Sequence, residues 1–193
     1  MFPGLLPFAL QLFPHADPIS PILRFIIVGC CAAISMRILI GFRLIQRQGE
    51  STGLGAVTGY VFSVLATVLA FPQHLELGLA VLAILAFGDG TATLAGLTFR
   101  GPRLAWNHGK SWSGLVGFIV IGSLMTSWIY WGEANNSEAA EPPVSLGFAL
   151  LLTAPAVVAA AVAESIRSRI NDNIRVGIVA AVAIVLLHSF RSV

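Results

Sequence analysis

Apolar and polar positions alternate along this chain in long blocks rather than in short periods. Long, predominantly apolar runs cover Ile22–Ile45, Leu54–Phe71, Leu75–Leu97, Leu115–Trp131, Leu146–Ala163 and Ile174–Phe190. At 1.5 Å per residue each is long enough to cross about 30 Å of hydrocarbon. None shows the every-second-residue pattern of a barrel strand, and in lipid the backbone must satisfy its own hydrogen bonds, so the six runs predict helices. Upstream, Pro3, Pro7, Pro14, Pro18 and Pro21 surround the apolar piece Leu5–Phe13. Prolines at that density preclude a spanning helix. The expected organisation is a proline-rich interfacial segment over 1–21 and one transmembrane domain over 22–193. The fold class expected is all-α, a polytopic membrane bundle of about six transmembrane helices.

Composition agrees with the pattern. The 193 residues are 56% hydrophobic and only 10% charged, against about 25% charged in a soluble domain. The net charge of +2 is too small to suggest nucleic acid as a partner, and none is expected. Charge position is more informative. Arg43 and Arg47 follow the first run, Arg100, Arg103 and Lys110 the third, and Arg167, Arg169 and Arg175 the fifth. The even-numbered connections carry Glu76 and then Glu133, Glu138 and Glu141. The positive-inside rule puts the basic connections in the cytoplasm and both termini outside, with Arg24 and Arg191 against the trend. Cys30 and Cys31 are adjacent in an apolar run and read as two small helical residues.

Three polar constellations interrupt the apolar blocks. Asp89 stands between Gly88 and Gly90 inside the third run, and Asp89, Thr93, Gly96 and Arg100 share a helical face. An intramembrane carboxylate marks a functional site by default; the competing reading is structural glue, with Arg37 as its partner. The second constellation is Asn107-His108-Gly109-Lys110-Ser111-Trp112-Ser113-Gly114, containing the chain's single lysine. A lysine and hydroxyls opening a helix suit phosphate, because free N–H groups and the helix dipole attract anions. Leu104 stands where a Walker motif needs glycine, so this is not a P-loop. Trp106 and Trp112 read as interfacial belt residues. The third comprises Glu164, Ser165, Asp172 and Asn173. Asp172 or Asn173 is either a helix N-cap or part of a ligand set. Asp89, Glu164 and Asp172 together offer hard oxygen ligands for Mg²⁺ holding a triphosphate. Polar stripes at Tyr60, Ser63 and Thr67, and at Ser123, Ser127 and Tyr130, read as interhelical hydrogen bonding.

Gly88-Asp89-Gly90, the basic loop, Lys110-Ser111-Trp112-Ser113-Gly114, Glu164-Ser165 and Asp172-Asn173 resemble the polyprenol kinase family, which includes phytol and dolichol kinases. The resemblance covers about 86–176. Ser113 and Asn171 stand where family members usually carry an acid. The resemblance implies a membrane kinase moving the γ-phosphoryl group of CTP to an isoprenoid alcohol with Mg²⁺ present. Asp89 and Lys110 would be catalytic, and Asp89, Glu164 and Asp172 would hold the metal. Arg100, Arg103, Lys110, Ser111, Ser113, Gly114 and Asn173 would bind the nucleotide. The partners implied are a nucleoside triphosphate, a lipid alcohol and membrane lipids, with a homo-oligomer left open. Two alternatives use other chemistry: cytidylyl transfer to a lipid phosphate, and a non-catalytic transporter or scaffold.

Overall fold

The computed structural model describes residues 4–12, 15–16, 18–45, 53–137, 139 and 141–192. Arg47 and Glu138 lie outside them, as does the side chain of Arg43. Seven helices form: α1 Leu5–Leu12, α2 Pro21–Ile45, α3 Gly53–Ala70, α4 Leu75–Phe99, α5 Trp112–Ala134, α6 Leu146–Ser165 and α7 Asp172–His188. A short antiparallel hairpin, β1 Arg103–Leu104 and β2 Asn107–Ser111, joins α4 to α5. Among the described residues, five helices are long and apolar enough to cross a membrane, namely α2, α4, α5, α6 and α7. The second of the six expected runs forms α3, whose apolar stretch Val57–Ala70 is shorter.

The bundle is built around α4. Every residue from Leu75 to Ala86 is buried, and α1, α3, α5, α6 and α7 all pack against this helix. A helix apolar on all sides belongs in an interior, and among the described residues α4 is the most buried of the candidate spans. Its second half differs. Leu94, Leu97 and Phe99 are exposed, so the same helix leaves the core and presents an apolar face outward. α2 is peripheral: it packs on α3, and Ile22, Phe25 and Ile40 are among its exposed side chains. Arg37 is exposed on α2 and forms no ion pair among the described residues. The reading of Arg37 as Asp89's partner is therefore corrected: α2 lies at the rim of the bundle, away from the central helix.

The transition within α4 is a π-helical turn over Ile84–Gly88, directly before Asp89. Such a turn widens the helix locally and is commonest at functional sites. Gly88 permits it against a close neighbour, since a methyl group there would meet the Phe118 ring at 2.5 Å.

Two glycines then bring α5 unusually near α4. A Cβ at Gly114 would lie 2.9 Å from the Ala92 carbonyl oxygen, and one at Gly117 would lie 2.8 Å from Ala95 Cβ. Thr91 Oγ1 donates to the Phe87 carbonyl of its own helix at 2.5 Å and lies 3.2 Å from the Gly117 carbonyl across this seam. Small residues at such crossings let membrane helices approach backbone to backbone.

Of the polar stripes, Ser63 donates to the Asn173 carbonyl and Ser127 bonds Thr153 across helices, as expected. Tyr60 departs from the expectation, because its hydroxyl is buried without a partner. α1 lies against α4 and α5: Phe8 stacks edge-on with Phe87, and Gln11 Nε2 donates to the Ile129 carbonyl.

Candidate active site

One end of the bundle collects the hairpin, the end of α6 and the start of α7. α4 closes with Arg100 in the left-handed conformation at φ 45°. That turn reverses the chain into the hairpin. Leu104 is fully buried beneath it, and the Trp112 amide donates to the Pro102 carbonyl at 2.9 Å.

The hairpin is strapped to the last turn of α6. Trp106 Nε1 donates to Ser165 Oγ at 3.1 Å, and Asn107 Nδ2 donates to the Ser165 carbonyl at 3.0 Å. Trp106 thus fixes the hairpin in place, in addition to stacking edge-on with Trp112 at 5.6 Å. The ring itself is half exposed, which is compatible with its reading as an interfacial belt residue, and the N–H bond adds an anchoring role.

The strap delivers Lys110 to Glu164. Lys110 Nζ donates to Glu164 Oε1 at 2.5 Å and lies 3.5 Å from Asp172 Oδ2. Glu164 is buried at the C-terminal end of α6, where the helix dipole opposes a carboxylate. The ammonium group offsets that cost. Asp172 occupies the opposite kind of position, the first turn of α7, which favours an acid. Burial alone would pull the Lys110 amine down. The charge and hydrogen bond of Glu164, followed by the charges of Asp172 and Asp89, outweigh it and hold the amine above its ordinary value. Lys110 is therefore a fixed cation. Two of its three N–H donors face acids, which leaves one for a ligand.

The N-cap of α7 is Asn171, whose side chain accepts from the Asn173 amide at 3.0 Å. The expectation that Asp172 or Asn173 caps this helix is corrected accordingly. With Asn171 in that place, the Asp172 carboxylate turns to Lys110 and to Arg175 Nη2 at 2.8 Å. The same Arg175 nitrogen donates to the Ile166 carbonyl at 2.8 Å, bracing the α6–α7 turn. Among the described residues, Arg175 Nε and Nη1 are buried with no partner. In the sequence Arg175 counted only towards topology, because nothing in a single basic residue shows that its donors will be buried and unused.

Asp89 completes the group electrostatically. Its charge acts on Lys110, Glu164 and Tyr60, and that of Asp172 acts on it. Among the described residues its carboxylate makes no hydrogen bond or ion pair. An ionised carboxylate at such depth is costly without a matching cation.

A cavity of about 270 Å³ is lined by Thr93, Gly96, Arg103, Lys110, Ser111 and Glu164, among others; Asp89 and Asp172 do not line it. Of the remaining expected residues, Gly114 also lines it. Ser113 bonds Ser111 at 3.1 Å and accepts from the Gly101 amide. Arg100 is exposed at the rim, and Asn173 sits in the first turn of α7, where its carbonyl accepts from Ser63. Neither lines the cavity. The helix-start anion cradle is partly used by the protein itself, because the Trp112 amide bonds Pro102 and the Gly114 amide bonds Ser111 Oγ.

The donor chemistry suits a hard dication with phosphate. Mg²⁺ takes one or two carboxylates and completes its octahedron with water and phosphate oxygens. Asp89 is unmatched, and Asp172 shares the same charged space. Glu164 is committed to Lys110.

Comparison with known proteins points the same way. The chain is 27% identical over 158 residues to a protein named "Probable phytol kinase 2, chloroplastic" from Glycine max, covering 80% of this chain and 53% of that one. It is 27% identical over 168 residues to "Probable phytol kinase, chloroplastic" from Zea mays, covering 80% and 54%. It is 28% identical over 131 residues to "Farnesol kinase, chloroplastic" from Arabidopsis thaliana, covering 66% and 41%. The chain spans about half the length of the curated relatives it matches. No protein-family model and no solved structure matches it.

Proposed function

From its membership of the polyprenol/phytol kinase family, supported by these phytol and farnesol kinase relatives, we propose that this protein phosphorylates an isoprenoid alcohol at the membrane surface, with CTP as donor. The observation that carries the reading is the convergence of Lys110, Glu164, Asp172 and Asp89 from four separate elements at one end of the bundle. Phosphoryl transfer asks a protein for positioning and charge neutralisation more than for covalent chemistry. Each of these residues supplies one of the two.

Lys110 and Arg103 line the cavity and attract the polyphosphate, and Ser111 adds a hydroxyl. A cavity of about 270 Å³ takes phosphates and leaves the nucleoside to the open side of the hairpin. The unused donors of Arg175 lie one turn along α7 from Asp172 and add positive charge behind the acids. Asp89 and Asp172 would hold Mg²⁺, which when bound neutralises charge on the transferring group. The alcohol approaches along the exposed half of α4, where Leu94 and Leu97 face outward for an isoprenoid chain. Its hydroxyl meets the polar face of Asp89 and Thr93, with the unpartnered Tyr60 hydroxyl on the neighbouring helix. The hydroxyl oxygen bonds to the γ-phosphorus as the bond to the β–γ bridging oxygen breaks. The nucleoside diphosphate leaves and the hydroxyl proton is released.

The test is a label-transfer assay on purified protein with phytol, farnesol and polyprenols, comparing CTP with ATP. Label from the γ-phosphate of CTP is expected in the lipid product. Label from the α-phosphate would mean cytidylyl transfer instead. A folded sample inert toward every alcohol with both nucleotides would falsify the kinase reading.

A further inference from the structure

The opposite end of the bundle holds a second polar cluster that phosphoryl transfer does not use. His74 and Glu76 stand at the start of α4, Glu141 lies in the α5–α6 connection, and His188 ends α7. One donor atom from each lies within 4.8 Å of all the others. His74 Nδ1 is 3.3 Å from Glu76 Oε1 and 4.0 Å from Glu141 Oε1. His188 Nε2 is 3.8 Å from Glu76 Oε1 and 3.4 Å from Glu141 Oε1.

We propose that these four side chains form a binding site for one zinc-class divalent cation, held by two imidazoles and two carboxylates. The distances favour it. Tetrahedral zinc with bonds of about 2.0–2.1 Å places its ligand atoms roughly 3.3–3.4 Å apart. Of the six edges, two of the four between an imidazole and a carboxylate already have that length, the other two of those need to close by about half an ångström, and the remaining two lie within 4.8 Å. Two neutral imidazoles with two carboxylates are a donor set that borderline dications accept.

Groups around the cluster orient its ligands, as metal sites require. The buried Tyr130 hydroxyl bonds His188 Nδ1 at 3.0 Å, which leaves Nε2 facing the cluster. Arg191 Nη1 holds Glu141 Oε2 at 2.8 Å, which turns Oε1 inward. Glu76 is buried in the first turn of α4, where the helix dipole favours a carboxylate. A cavity of about 750 Å³ lined by His74, Glu141, His188 and Arg191 gives entry from outside. The ion would tie the start of the central helix to the end of the last one through a loop that helix packing alone does not hold. This site is independent of the proposed kinase reaction.

The experiment uses the full chain in detergent, stripped with a chelator and then titrated with Zn²⁺, with bound metal measured by elemental analysis. One zinc per chain is expected. Co²⁺ in its place is expected to show the visible absorption of a tetrahedral site. His74 is the safest ligand to replace, because 47% of its side chain is exposed. His74→Gln should weaken binding by about 100-fold or more, and Tyr130→Phe by about 10–100-fold. Lys110→Met, at the other end of the molecule, should keep one zinc. No stoichiometric zinc in the wild-type chain, or unchanged binding in a folded His74→Gln/Glu141→Gln double variant, would overturn the proposal.

Discussion

Lys110 shows how much one residue's chemistry depends on its neighbours. Its amine is held above the ordinary value of 10.5 by Glu164, against the pull of burial. For a base whose folded value is raised, the stabilisation is fully present below the unfolded value and is lost as pH rises through the folded one. No activity limb from Lys110 is therefore expected between about pH 6 and 9, and its contribution to stability should fail only above about pH 10.5. Lys110→Met should lower label transfer by roughly 100-fold or more if the amine neutralises phosphate charge in the transition state. It should also cost up to about 3 kcal/mol, less than for a fully buried pair because a third of the lysine side chain is exposed. The measurements are initial rates and thermal unfolding against pH; an alkaline stability loss persisting unchanged in Lys110→Met would exclude Lys110 as its source. The uniqueness of this lysine was visible in the sequence. Its bond to Glu164 was not, since 54 residues separate the two and only the hairpin strap joins them.

At the scale of elements, the site depends on how closely α4 and α5 can approach. Gly114 and Gly117 set that distance, and β2, which carries Lys110 and Ser111, runs directly into the start of α5. Gly117→Val should push the helices apart at Ala95 and cost about 1–3 kcal/mol, the usual range for overpacking. The shift passes to the hairpin, so apparent affinity for the nucleotide should fall together with thermal stability. A Gly117→Val protein with unaltered melting temperature and kinetics would show that this seam does not position the site. The six apolar runs gave the helices nearly to their ends, because hydrophobic length is written directly in composition. The π-helical turn before Asp89 was not written there, since no residue preference along the chain marks it and its close neighbour Phe118 lies 30 residues away from Gly88 in sequence. The N-cap assignment likewise moved by a residue to Asn171, a choice made by side-chain geometry among three capable neighbours.

For the whole molecule, the two polar ends differ in charge. One carries the hairpin, Lys110 and the α6–α7 turn with Arg167 and Arg169; the other carries Glu76, Glu133 and Glu141. The positive-inside rule assigns the first to the cytoplasmic side, or its organellar equivalent. Single cysteines at Ser168 and Ser137, introduced after Cys30 and Cys31 are replaced, should react with an impermeant thiol reagent from opposite faces of sealed vesicles. Labelling of both from one face would refute this arrangement. The sequence by itself determined the order of six of the seven described helices, the helical class of the fold and the residue types available for chemistry, because each follows from composition and spacing along the chain. Only the tertiary structure decided which charges meet. It paired Lys110 with Glu164 rather than leaving it free, sent Arg37 to the rim, left Asp89 unmatched and gathered His74, Glu76, Glu141 and His188 at the far end. Contacts between residues distant in sequence depend on which helix faces pack together. In nearly uniform apolar helices that choice is made by glycines, strap hydrogen bonds and turn geometry, whose partners become evident only in three dimensions.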